Sequence, residues 1–198
     1  MPEPRCINCA RRAPWYCLLG NTSLSALQLL VGFIGGSTAL IAEGIHTFTD
    51  VIGTVVVIVS RGVSAKPADQ EHTYGHGKVE FIGSAFAYIA LLFLSAAIFS
   101  GGLIMILTHH YRRPEVITIL ASCVAVLING FMYKLGMCSG IRVNSPVLVA
   151  NAFENRADAM SSAAVIVGIS ASIFIHPVCD PIAAMVVGVH IFINCMIR

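Results

Sequence analysis

Residues 38–63 read TALIAEGIHTFTDVIGTVVVIVSRGV, and this stretch decides the fold. At helical rise it covers about 39 Å, enough to cross a hydrocarbon core of roughly 30 Å. Its apolar residues run almost unbroken, yet His46 and Asp50 sit inside it four positions apart. That spacing stacks two side chains on one helix face. A second such pair, Glu154 and Asp158, lies inside another apolar segment at 147–175. Ionisable groups are costly in hydrocarbon, so they face a partner or an ion rather than lipid.

The rest of the chain follows the same pattern. Of its 198 residues, 57% are hydrophobic and only 11% charged, with a mean hydropathy of +0.82. A soluble domain of that length has too little interior for so much apolar surface. A membrane span must satisfy its own backbone hydrogen bonds, so the segments are expected to be helices. The expected spans are about 13–34, 38–63, 79–107, 115–138, 147–175 and 181–197. Gly35-Gly36-Ser37 breaks the first pair, and Asn144-Ser145-Pro146 precedes the fifth span, which His176-Pro177 ends. Pro114 and Pro181 stand where a first helical turn tolerates proline.

The expected fold class is therefore an all-α membrane protein, a six-transmembrane-helix bundle. One side of it carries Arg5, Arg11, Arg12, Arg61, Lys66, Lys78, Lys134, Arg142 and Arg198, the other only Arg112 and Arg113. The positive-inside rule then makes both termini cytoplasmic. Residues 1–12 read as a cytoplasmic N-terminal segment, and no C-terminal cytoplasmic domain is expected after the sixth span. The first apolar run continues into a full span, which does not suit a cleavable signal.

Composition excludes several function classes. A formal net charge of +2 gives no reason to expect nucleic acid as a partner. The seven cysteines (Cys6, Cys9, Cys17, Cys123, Cys138, Cys179 and Cys195) are odd in number and lack secreted-domain spacing, which argues against a disulfide framework. No nucleophile–base arrangement is visible. Gly75-His76-Gly77 lacks the strand-to-helix setting of a nucleotide loop, so the chain is not expected to be an enzyme.

What remains is metal chemistry. His46, Asp50, Glu154 and Asp158 supply four nitrogen and oxygen donors from two helices, enough for a divalent ion. With both termini on one side, the second and fifth helices bring the pairs to similar depth near the midplane. The alternative is a polar network that only holds helices together, but acids without compensating bases suit a cation better. Glu43 shares the face of His46 and Asp50. It reads as a relay or entrance ligand, or as an acid lining a water-filled vestibule. Arg156, two residues from both Glu154 and Asp158, points away from them and is expected to pair elsewhere or snorkel. Asn129 and Asn155 read as interhelical hydrogen-bonders.

Two loop features are less specific. Asp69, His72 and His76 offer three ligands on a glycine-broken turn, a second metal site or a solvated loop. Cys6-x-x-Cys9 is half of a closed zinc site: an intermolecular site, a redox pair, or no function. His109-His110 reads as a plain loop pair.

Taken together, these motifs resemble the cation diffusion facilitator family. Ala42-Glu43-Gly44-Ile45-His46-Thr47-Phe48-Thr49-Asp50 is similar to that family's second-helix motif. Pro67-Ala68-Asp69, His72 and Gly75-His76-Gly77-Lys78-Val79-Glu80 resemble the signature before its third helix. Asn151 to Asp158 stands where the fifth-helix pair belongs, and Asp180-Pro181 where the sixth helix opens. The Cys-x-x-Cys, Ser64-Ala65-Lys66-Pro67, Asn144-Ser145-Pro146 and Asn155-Arg156 resemble the magnetosome-membrane branch of magnetotactic bacteria. The resemblance implies export of divalent cations by proton antiport, as a homodimer using alternating access. It implies a transport site of His46, Asp50, Glu154 and Asp158 and a loop site of Asp69, His72 and His76.

The implied substrate is Fe2+, Mn2+ or Zn2+, with no cofactor, and the implied location is a bacterial inner or magnetosome membrane. Two departures from the family pattern matter. Zinc-transporting members usually have histidine where Glu154 stands, and a carboxylate makes the site harder, toward manganous or ferrous ions. The resemblance implies a cytoplasmic domain after the sixth helix that these residues do not include, so Lys78 is expected to lack its customary partner and dimerisation to be less secure. A homodimer, or a heterodimer with a full-length relative, is the expected assembly. The rival function is a non-transporting membrane scaffold or partner subunit that stabilises such a relative.

Overall fold

The computed structural model describes residues 4–64, 78–143 and 146–197. Six helices run through them: α1 (Pro4–Gly35), α2 (Thr38–Ser64), α3 (Lys78–Leu107), α4 (Ile117–Val143), α5 (Pro146–Phe174) and α6 (Cys179–Ile197). Each contains a stretch long and apolar enough to cross a membrane. No strand occurs among the described residues. The protein is an all-α, multi-pass membrane protein. α1 begins at Pro4, ahead of its apolar stretch at Trp15–Gly35, so Cys6 and Cys9 fall on its first turns.

The polarity of the bundle is inverted relative to a soluble domain. Phe93 and Phe131 are 75% and 66% exposed, while Gln28, Ser162 and Glu43 are buried. Lipid tails solvate the large apolar side chains, so polar groups gather between helices, where they find partners. Ala39, Leu40 and Ala42 of α2, Val165 and Ile169 of α5, and Ala184, Val187 and Ile191 of α6 join in one buried cluster. α2 thus sits at the centre, packed against α1, α3, α5 and α6.

Two turns fix this packing. α1 stops at Gly35 because Gly36 takes a left-handed φ of 67°, and Ser37 N donates to Gly32 O at 3.1 Å. That is the Schellman termination glycine favours. Ser37 then caps α2, its Oγ accepting from Leu40 N at 3.2 Å.

Asp180, buried in the first turn of α6, crosses to the same spot. It accepts from Ser37 Oγ at 2.6 Å, Thr38 N at 2.6 Å and Thr38 Oγ1 at 2.5 Å. One carboxylate therefore faces the N-termini of α2 and α6 together, where both macrodipoles favour negative charge.

α5 and α6 cross at Gly168, where an added Cβ would collide with that of Ala183. Close approach of two backbones is what a small residue at a membrane crossing permits. Gly168→Val is expected to push the helices apart and cost about 1–3 kcal/mol. Thermal unfolding in detergent would show the loss, and an unchanged melting temperature would show that the crossing tolerates bulk.

Candidate metal centre

α2 carries Glu43, His46, Thr47 and Asp50 on its inward side because they recur at three- and four-residue spacing. α5 contributes Asp158 in the same way. His46 is 7% exposed. Its Nε2 stands 3.5 Å from Asp158 Oδ1 and 3.8 Å from Asp50 Oδ2. Both separations exceed hydrogen-bond length, and neither ring nitrogen of His46 has a hydrogen bond among the described residues.

One ligand atom from each of His46, Asp50 and Asp158 lies within 4.8 Å of the others. Donors about 2.0–2.2 Å from a divalent ion sit roughly 3–3.5 Å from one another. The triad is therefore close to the spacing an ion between its members would need after slight contraction, and His46 also lies within ion-pair distance of both acids. Two carboxylates and one imidazole form a borderline-to-hard donor set suited to first-row divalent cations.

Of the four residues expected from sequence, three form this group. Glu154 lies one turn along α5 from Asp158, half-buried, and is not part of the group. Its i, i+4 relation to Asp158 is real, but the α2 donors lie level with Asp158. Arg156 is exposed, away from the triad. Asn155 donates to Asn151 O at 3.0 Å and Asn151 Oδ1 at 3.1 Å within its own helix. Asn129 is buried in α4. Asp69, His72 and His76 lie outside the described residues, as do the side chains of Cys6 and Cys9. His109, at a φ of 53°, ends α3's turn with its Nδ1 3.3 Å from Tyr111 Oη, an exposed loop arrangement far along the chain from the triad.

A second set of polar contacts adjoins the triad, with Glu43 one turn toward the N-terminus of α2 and Thr47 directly after His46. Glu43 is 2% exposed and accepts from Ser162 Oγ of α5 through Oε1, while its Oε2 has no partner among the described residues. Thr47 Oγ1 donates to Gln28 Oε1 at 3.0 Å. Sequence reading missed Ser162, although it continues the α5 face of Glu154 and Asp158 at the next i+4 position. It also missed His190 of α6, whose ring meets that of His46 edge-on at a centroid distance of 6.4 Å. A single histidine in an apolar run carries no periodic signal.

Comparison with known proteins identifies the family. Residues 15–196 match the cation efflux transmembrane domain. The magnetosome protein MamB of Magnetospirillum gryphiswaldense is 34% identical over 185 residues, covering 93% of this chain and 62% of that protein. The magnetosome protein MamM of Paramagnetospirillum magneticum is 34% identical over 187 residues, 93% of this chain and 59% of its own. The manganese efflux system protein MneP of Bacillus subtilis is 29% identical over 160 residues, 81% and 54% respectively. The chain thus spans roughly three fifths of the length of the magnetosome relatives it matches. With a family domain matching nearly its whole length around this inward-facing triad, the chain belongs to the cation efflux family, the cation diffusion facilitators.

Proposed function

We propose that the protein moves a divalent metal cation, Fe2+, Mn2+ or Zn2+, out of the cytoplasm in exchange for protons. The observation that carries this reading is the spacing of His46, Asp50 and Asp158 around a point inside the membrane-spanning bundle. The relatives' names, magnetosome proteins and a manganese efflux protein, support such a substrate class and a bacterial inner or magnetosome membrane.

In the mechanism, both termini face the cytoplasm, and the cation enters from that side. Glu154, one turn from Asp158 toward the cytoplasmic end of α5, receives it and passes it to the triad. Carboxylates and imidazole bind metal only when deprotonated, so metal and protons compete for the same atoms. Repacking of α2 and α5 against their neighbours then exposes the triad to the other side, where protons displace the ion. Glu43, beyond His46 and held by Ser162, relays those protons. Asp69, His72 and His76 form a second, cytoplasmic metal site. The working unit is a dimer, of two copies or of one copy with a full-length relative.

The sign of the pH dependence follows from the competition. Lowering pH protonates the ligands and weakens binding, by roughly tenfold per pH unit for each proton displaced. Titrating purified protein with Mn2+ and Zn2+ between pH 6 and 8 measures it. Proteoliposomes with an imposed pH gradient test the transport itself. Flux of none of the three ions, or flux indifferent to the gradient, would defeat the proposal.

A further inference from the structure

The donor group described so far comes from α2 and α5 alone, yet α6 also packs on α2 and presents an imidazole there. His190 is half-buried. It sits about 16 Å along α6 from its start, and His46 about 12 Å along α2, by helical rise. Those two starts are tied together by Asp180, Ser37 and Thr38, so the two rings lie at nearly the same depth. Their edge-on contact at 6.4 Å is the direct consequence.

We propose that His190 is a further metal ligand, the donor by which α6 joins His46, Asp50 and Asp158 on the bound divalent ion. This rests on the transport-site reading above. Two imidazoles sharing one tetrahedral ion have ring centroids about 5 Å apart, given metal–nitrogen bonds near 2.0–2.1 Å. The observed 6.4 Å exceeds that, and His190 stands outside the group whose ligand atoms lie within 4.8 Å of one another, so its ring must swing inward as the ion binds.

The second support is Asn194, one turn along α6, whose amide lies 3.2 Å from His190 Nε2. Ligating histidines as a rule hand their other ring N–H to a fixed acceptor, which sets tautomer and orientation. The two ends of an asparagine amide are assigned from the hydrogen-bond network rather than seen. With Oδ1 toward the ring, Asn194 accepts from Nε2–H and leaves Nδ1 as the donor atom to metal. Asn194 is then a positioning residue.

This changes the expected selectivity. A His2Asp2 set is softer than the triad with a third carboxylate, and the second nitrogen favours zinc and ferrous ions over manganous. It also couples α6 to the cargo, so that α2, α5 and α6 close together on the ion.

The test counts imidazoles. Protein carrying alanine at Asp69, His72 and His76, which removes the proposed loop site, is loaded with one equivalent of Zn2+. X-ray absorption at the zinc edge is expected to report two imidazole nitrogens in this background and one in His190→Gln. The apparent Kd for Zn2+ should rise ten- to hundredfold in His190→Gln, and the preference for Zn2+ over Mn2+ should shrink about tenfold. Asn194→Leu should weaken Zn2+ binding by about tenfold with both nitrogens retained. Melting temperatures of the variants, measured without metal, show whether each is folded. One nitrogen in both proteins, or an unchanged Kd in folded His190→Gln, overturns the assignment. If Asp158→Ala releases the ion while His190→Gln does not weaken it, only the role of His190 falls. If Asp158→Ala leaves Zn2+ bound, the transport site falls with it.

Discussion

Asp158→Ala is expected to reduce metal flux in proteoliposomes by at least a hundredfold, to the level of protein-free vesicles, while leaving the protein folded. Asp158 is the single α5 member of the triad, 3.5 Å from His46 Nε2 across the helix interface. Without it α5 supplies no donor at this level, and the site keeps a single carboxylate, Asp50. Coordination energy of that kind is direct and large, since a carboxylate–metal bond in a low-dielectric site is weakened little by water. Asp50→Ala should behave alike.

The same replacement separates site from scaffold. Removing Asp158 relieves like-charge repulsion with Asp50 but also loses its pairing with His46, so thermal stability should change little. A scaffold that works through helix contacts alone would keep its function in Asp158→Ala and lose it in Gly168→Val. Measured flux near the parent level in folded Asp158→Ala would remove the transport reading. His46→Asp is expected to retain binding with a shift toward Mn2+, because it exchanges nitrogen for oxygen at an otherwise preserved point.

The triad and the spans were legible in the sequence for a single physical reason. Both are periodic: apolar runs of membrane length and acids at helical spacing survive any detail of tertiary packing. The start of α1 was not legible, since residues 4–14 carry arginines and cysteines without an apolar repeat. Nor was the sorting of Glu154 from Asp158. Spacing puts them on one face, but which of them lies level with His46 depends on how α2 and α5 are shifted along each other. That shift shows in tertiary contacts such as Ser162 on Glu43, which no local pattern encodes. His190 was invisible for the same reason. Its meaning comes from α6 lying beside α2, and the order of six antiparallel helices in a bundle does not follow from their sequences. Asn155 combines both roles: it meets the Cys17 side chain of α1 as expected of an interhelical residue, and it also donates to Asn151, four residues back.

Asp180→Ala is expected to cost roughly 3–5 kcal/mol, the range for removing one side of a buried charged network, and to lower the melting temperature by about 10 °C. The sequence offers Asp180 only as an acid opening a helix. In the fold it accepts three hydrogen bonds from Ser37 and Thr38, a function that only an acceptor without protons fills completely. Alanine leaves the Ser37 hydroxyl, the Thr38 hydroxyl and the Thr38 N–H buried against α6 without their acceptor, and each such group carries its own desolvation penalty. Asp180→Asn should lose about half as much, because its carbonyl oxygen still accepts from Thr38 while its amide faces a serine hydroxyl that must turn to receive it. Ser37→Ala removes a cap and one of the three bonds, for about 1 kcal/mol. The graded order alanine, asparagine, Ser37→Ala, read from thermal unfolding in detergent, distinguishes a capping network from simple packing; equal effects of all three would not fit it. Because this junction ties the starts of α2 and α6, its loosening should also blur the depth match of His46 and His190. Zn2+ binding is then expected to weaken in Asp180→Asn even where the protein remains folded, although Asp180 lies about two to three turns from the two histidines.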